Sequence, residues 1–238
     1  MRLLALCLLP VLAAVVTAAA RSPRVGRWRV AVLVGTATVH LALTATLWTM
    51  PAQTAVNGWF GDDALGLITL SLVSVLFFVT AIYTVGYLQR ATPRGGRVFV
   101  SGLLGFLAAM TVVCLSQHLA MLWVGLEATT FAVAPLIFHR HDRRSLEAVW
   151  KYLVISSVGI ALALLGTFFL ASAQHGVAGD PLILGDLVAH ARQLQPAWLR
   201  AAFLFLLVGF GTKMGLAPMH TWKPDTYGEA PALVGGLM

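Results

Sequence analysis

Glu127 and Lys213 are the residues of this chain that most need a chemical reason. Each stands inside a long apolar run, Leu119-Ala-Met-Leu-Trp-Val-Gly-Leu-Glu127-Ala-Thr-Thr-Phe131 and Leu207-Val-Gly-Phe-Gly-Thr-Lys213-Met-Gly-Leu-Ala-Pro-Met-His220. An unpaired acid at the centre of a membrane helix costs about 3 kcal/mol, so a charge there is kept for a purpose or paired. Low dielectric loosens the proton of a lysine and a nearby carboxylate holds it. A carboxylate that moves or becomes protonated would therefore load or unload the lysine, which is the chemistry of a gated proton carrier. The plain alternative is a static ion pair, which is expensive to bury. Glu127 falls about 12 Å and Lys213 about 20 Å from the outer ends of their runs. In a hydrocarbon core about 30 Å thick they straddle the midplane, with contact possible and not given by spacing. Thr130 at i+3 and Trp123 at i−4 place one polarisable stripe beside Glu127.

The neighbourhood of Lys213 is built to break a helix. Gly209, Gly211, Gly215 and Pro218 surround it, and broken helices at membrane depth survive only where they line a cavity or are buried in protein. His220 follows the break and reads either as a proton relay or as an interfacial histidine satisfied by water. Lys151, near the cytoplasmic end of its run, reads as a proton intake group or as a snorkelling lysine. Lys223 reads as snorkelling or solvated. His40 stands alone in an apolar run and reads as a satisfied core histidine. His118 marks an outer turn, as an exit group or merely a wet one. His139 and His141 resemble a metal pattern only weakly, with no third ligand in sight. Asp62 and Asp63 read as an outer loop, and Asp225 and Glu229 as interfacial.

The elements that must position these groups are membrane helices. The chain has 238 residues, 59% hydrophobic and 11% charged, against about 25% charged in a soluble domain. That excludes an ordinary soluble domain and a disordered one. Apolar runs cover roughly 3–20, 30–50, 65–88, 98–115, 119–138, 149–173 and 200–218, and an eighth begins near Ala230, taking about 20 residues per span. The expected fold is an all-α, polytopic transmembrane bundle. It has about seven complete helices plus the start of an eighth, with the seventh broken at membrane depth. The segment 181–195 is too polar to span. Its apolar residues recur at helical spacing, which predicts a short interfacial helix on the outer side.

Loop charge sets the orientation. Arg21, Arg24, Arg27 and Arg29 follow the first run; Arg90, Arg94 and Arg97 the third; Arg140, Arg143 and Arg144 the fifth. The loop from Pro51 to Asp63 and the tight link near Gln117 carry no Lys or Arg, and the loop after the sixth run has only Arg192, with Arg200 at its end. This alternation predicts an outside N-terminus and cytoplasmic arginine-rich loops. The first run resembles a secretory signal, with Arg2 before it and Ala18-Ala19-Ala20 after it. The arginines that follow resist translocation, so it is read as a retained helix. The net charge of +7 thus belongs to topology and not to nucleic acid. Cys7 and Cys114 form no CxxC or Cys/His spacing, and no Gly-rich phosphate loop is present. No cofactor, metal site or catalytic nucleophile is therefore expected.

The residues also resemble a known family. Leu122-Trp-Val-Gly-Leu-Glu127-Ala-Thr-Thr130 resembles the fifth helix of the antiporter-like subunits of respiratory complex I. Lys213-Met-Gly-Leu-Ala-Pro-Met-His-Thr-Trp-Lys-Pro-Asp225, then Glu229-Ala-Pro-Ala-Leu-Val, resembles their broken seventh helix and the start of the eighth. Glu147-Ala-Val-Trp-Lys-Tyr-Leu-Val-Ile-Ser-Ser-Val-Gly is similar to component F of hydrogenase-4, a relative that shares the family with the Mrp cation/proton antiporters. Asp62-Asp-Ala-Leu-Gly-Leu fits the start of the third helix. The resemblance implies a proton-translocating membrane subunit of a redox-driven complex like hydrogenase-4 or NADH-quinone oxidoreductase. Glu127 would be the helix-5 glutamate and Lys213 the lysine it modulates. Lys151 would be a helix-6 lysine, and His220 part of the hydrogen-bonded route. Partners would be other membrane and redox subunits in a cell (inner) membrane, without nucleic acid. Alternatives are an Mrp-type sodium/proton antiporter subunit, or a structural piece lacking transport. Lys223 stands where many relatives are apolar. Family members have about fourteen helices around two inverted repeats of about five. On this reading 1–238 is one transmembrane domain: 1–90 holds the first three helices, and 98–238 holds part of one repeat, ending in the eighth helix.

Overall fold

The computed structural model describes residues 1–20, 26–90 and 96–238. Arg21, Arg24 and Arg94, used above for topology, lie outside them. The helices are α1 (Arg2–Ala19), α2 (Gly26–Leu47), α3 (Ala64–Arg90), α4 (Gly96–Leu115), α5 (Leu119–Ile137), α6 (Arg143–Ala173), α7 (Leu184–Ala189), α8 (Pro196–Met214), α9 (Trp222–Glu229) and α10 (Ala232–Gly235). Seven of them, α1 to α6 and α8, are long and apolar enough to cross a bilayer. Helices are the form required there, because each satisfies its own backbone groups where water does not reach.

α4 is the most deeply buried of the seven. Phe99, Val100, Leu103, Leu104 and Leu107 run along it at 1% exposure or less and centre the largest apolar cluster. α1, α3 and α5 pack around it, and α2 lies on α3. α6 and α8 make the tightest helix pair. A Cβ on Gly166 would lie 2.8 Å from the Leu206 nitrogen and 3.1 Å from the Ala202 carbonyl. One on Gly209 would run into the backbone of Gly159 and Ala163. Small residues at such a seam are how membrane helices gain contact without a hydrophobic drive between them.

The outer end is closed by short elements. Thr54–Ala55 (β1) pairs antiparallel with Phe60–Gly61 (β2). Gln117, in the turn between α4 and α5, donates its N–H to the Trp59 carbonyl at 2.8 Å and accepts from Leu184 N–H at 2.9 Å. This ties the hairpin, the turn and α7 together, and α7 is the interfacial helix expected within 181–195. His118 stacks on Trp59 at 4.6 Å, and its Nδ1 caps α5 by accepting from Ala120 N–H at 3.2 Å. Partial burial holds the imidazole below its ordinary range, against a smaller opposing hydrogen bond with the Pro181 backbone.

Two helix boundaries differ from the hydropathy reading. α6 begins at Arg143 and not near 149, because Asp142 and Ser145 form a reciprocal capping box. Ser145 N–H donates to Asp142 Oδ1 at 2.7 Å. Those bonds hold the Asp142 carboxyl below its usual range. The polar first turns of α6 are helical and yet invisible to an apolar window. α8 runs from Pro196 to Met214 and not from 200 to 218. Proline opens a helix readily, and Gly215 ends this one in the left-handed conformation at φ 73°.

Candidate functional site

α8 brings Lys213 to the α6 seam in its last turn. The Lys213 ammonium donates to Thr130 Oγ1 on α5 at 2.7 Å and to the Tyr152 hydroxyl on α6 at 3.0 Å. It also lies 5.0 Å from the centre of the Tyr152 ring, within cation–π range. Thr130 is fully buried and Tyr152 is 2% exposed, so the ammonium is held by hydroxyls inside the bundle.

Glu127 sits one turn before Thr130 on the same face of α5, about 4.5 Å along the axis. Its Oε1 accepts from Ser157 Oγ on α6 at 3.2 Å. Its Oε2 is buried and faces no protein donor. No ion pair joins Glu127 to Lys213 among the described residues. Both groups reach α6, Glu127 at Ser157 and Lys213 at Tyr152, and Lys213 reaches α5 at Thr130. Trp123, the other member of the stripe, donates its indole N–H to the Ile160 carbonyl at 2.7 Å and so fixes α5 against α6.

The broken helix returns to the same wall. Trp222, at the start of α9, is 3% exposed. Its indole donates to the Thr212 carbonyl at 3.0 Å, which also accepts from the Gly215 N–H at 3.1 Å. Its ring packs against Tyr152 at 5.3 Å between centroids. Further toward the arginine-rich face, Lys151 bridges Asp225 on α9 and Glu147 on α6, each at 2.7 Å. Arg140 approaches Glu229 at 3.7 Å. Between them opens a polar cavity of about 290 Å³ lined by Arg144, Glu147, Pro224, Asp225 and Glu229. Lys151, bonded to two of the lining carboxylates, is 43% exposed and not at the buried centre. His220 is exposed in the turn between α8 and α9. Among the described residues its side chain is not a hydrogen-bond partner of Lys213.

Residues 116–238 match the family described as NADH:quinone oxidoreductase/Mrp antiporter, transmembrane. The chain belongs to that family. The match covers Glu127, Thr130, Lys151, Tyr152, Ser157, Lys213 and His220. A hydrogenase-4 component F homolog of Methylacidiphilum infernorum is 27% identical over 224 residues, which is 90% of this chain and 47% of the relative. NADH-quinone oxidoreductase subunit N of Methylococcus capsulatus is 34% identical over 205 residues, 82% of this chain and 40% of the relative. The chain therefore spans about half the length of the curated relatives it matches. The fold resembles a chain of the membrane-bound sulfane sulfur reductase, an archaeal respiratory membrane complex. The TM-score is 0.82 at 16% identity, over 98% of this chain and 49% of that one. As a member of the antiporter family, the protein is a multi-pass membrane protein with the antiporter-like helical fold.

The sequence analysis missed Tyr152, Ser157 and Trp222. Tyr152 carried a usable signal: its polar hydroxyl follows Lys151 directly at the start of a long apolar run. Lys223, set apart above as unusual for the family, does not simply extend into solvent. A Cβ on Gly215 would meet Lys223 Cδ at 2.6 Å and Nζ at 2.9 Å, so the lysine stem covers the break. Gly215→Ala is expected to lose about 1–2 kcal/mol from the left-handed backbone alone, and more from displacing Lys223. Thermal unfolding of the detergent-solubilised protein should show a lower midpoint than the wild type.

Proposed function

We propose that this chain carries part of a transmembrane proton path in a redox-driven assembly of the hydrogenase-4 or NADH-quinone oxidoreductase kind. Glu127 and Lys213 would exchange the proton. The observation that carries the reading is that Lys213 is half-buried, held by hydroxyls and not neutralised by a direct carboxylate. A lysine so placed can keep or give up its proton as its surroundings change, whereas a permanent ion pair would hold it. Glu127 Oε2, buried without a protein donor one turn away, is the atom that takes a proton when the carboxylate is neutralised. Thr130 and the Tyr152 hydroxyl orient the ammonium. The cavity beside Lys151, Glu147 and Asp225 would gather protons on the arginine-rich side, with Lys151 modulating intake. His220, beyond the break, would hand protons between that cavity and Lys213. Residues 98–238 would then form part of one antiporter repeat, after three helices in 1–90. Electrons would travel in partner subunits, and other membrane subunits would complete the path.

The test is Glu127→Gln in the native assembly. Glutamine keeps the shape and the Ser157 contact but does not ionise. Proton uptake into vesicles is expected to fall at least about tenfold, the factor that about 1.4 kcal/mol supplies, while electron transfer persists in uncoupled membranes. Unchanged proton uptake would refute the role of Glu127. Uptake that instead depends on sodium, in membranes without redox partners, would establish the Mrp-type antiporter reading in its place.

A further inference from the structure

His40 on α2 is 1% exposed and takes no part in the Glu127–Lys213 site. Its Nε2 lies 2.9 Å from Thr111 Oγ1 on α4 and its Nδ1 lies 3.0 Å from Ser74 Oγ on α3. Thr44 Oγ1 lies 3.1 Å from Ser74 Oγ. Each hydroxyl also has a carbonyl to donate to: Leu107 at 2.7 Å for Thr111, Leu70 at 2.7 Å for Ser74 and His40 at 2.9 Å for Thr44.

Counting hydrogens shows that this cage suits two protonation states. With a neutral ring, Nε2–H donates to Thr111, whose hydrogen goes to the Leu107 carbonyl, and the Ser74 hydroxyl turns to donate to Nδ1. With an imidazolium, Nδ1–H donates to Ser74 Oγ, and the Ser74 hydrogen turns to the Leu70 carbonyl. Neither state leaves a ring nitrogen unpaired, and the change between them is one hydroxyl rotation.

His40 and Thr44 stand one turn apart on α2, with Trp48 just past its end, and Ser74 and Ser71 stand one turn apart on α3. At the outer end the Trp48 indole donates to Ser71 Oγ at 2.9 Å, and Trp48 is 57% exposed. Hydrocarbon closes the seam on both sides of the cage: Leu33, Ala37, Phe77, Phe99 and Leu103 toward the arginine-rich face, and Leu47, Leu70, Leu115 and Phe60 toward the outer face. The charged residues of α1 to α4 stand in their terminal turns. The remaining titratable groups of these helices, Cys7, Cys114, Tyr83 and Tyr87, are not partners of the ring. On α5, Gly125 packs on Val112 and Val113 of α4, which sets Glu127 near the depth of Thr111. Its carboxylate turns instead to Ser157 on α6.

We propose that His40, with Ser74, Thr44 and Thr111, is a second protonatable site, separate from Glu127 and Lys213. In the step one hydronium O–H bond breaks as the Nδ1–H bond forms, and the positive charge passes from the water to the ring.

The experiment is histidine ring 15N NMR of the full chain in lipid nanodiscs from pH 8 to pH 4, with His40→Gln identifying the signal. The expected result is a reversible change from one protonated nitrogen to two. Ser74→Ala removes the acceptor for Nδ1–H and should lower the midpoint by at least one pH unit, and Ser74→Thr should restore it. A ring that stays in one neutral form to pH 4, or a midpoint indifferent to both Ser74 variants, overturns the site.

Discussion

Lys213→Ala and Lys213→Arg are both expected to abolish proton movement by the assembled complex, although only one of them removes the charge. Alanine removes the proton-carrying group. Arginine keeps a cation for Thr130 and the Tyr152 hydroxyl to hold, but a guanidinium does not release its proton in a protein. The pair of variants therefore separates a carrier from a fixed charge. A residual rate below about a tenth of wild type in both, the factor worth about 1.4 kcal/mol, supports the carrier. Full activity in Lys213→Arg with loss in Lys213→Ala would assign Lys213 a purely electrostatic part. Normal activity in both would remove it from the path. The readout is quenching of a pH-sensitive dye in proteoliposomes holding the native assembly, beside its elution volume as a check of folding.

Gly209→Leu is expected to have the largest effect on stability. Gly209 meets α6 backbone to backbone: an added Cβ would lie 2.6 Å from the Gly159 carbonyl and 2.7 Å from Ala163 Cα. Backbone atoms in a helix do not swing aside as a side-chain tip does. The only relief is to separate α6 from α8, which would also carry Lys213 away from Tyr152. Overpacking of a well-packed interior costs typically about 1–3 kcal/mol, and an obstructed backbone contact belongs at the upper end. The expected outcome is a large fall in the yield of monodisperse protein and a lower unfolding midpoint. Gly185→Ala, where an added Cβ meets nothing within 4 Å, serves as the control and should behave as wild type.

Much of the architecture could be read from residue order. Hydrocarbon forces helices, and about 20 residues per crossing then locate seven of them within a few positions. The interfacial α7 followed from helical spacing in a segment too polar to cross. The break after Lys213 followed from its glycines, because the left-handed turn at Gly215 is a local backbone property. The boundaries of α6 and α8 were misplaced because capping by Asp142 and helix initiation at Pro196 do not register in hydropathy.

The sequence by itself determined that a carboxylate and an ammonium each stand in an apolar run long enough to span. Only the tertiary structure decided what each of them touches. Lys213 meets Thr130 and Tyr152 while Glu127 meets Ser157, because the glycines of the α6–α8 seam set the rotation and depth of α8. Likewise, His40 read as a solitary core residue until α3 and α4 brought Ser74 and Thr111 to its two nitrogens. Contacts between residues 30 to 83 positions apart depend on how helices rotate and pack, and no local spacing records that.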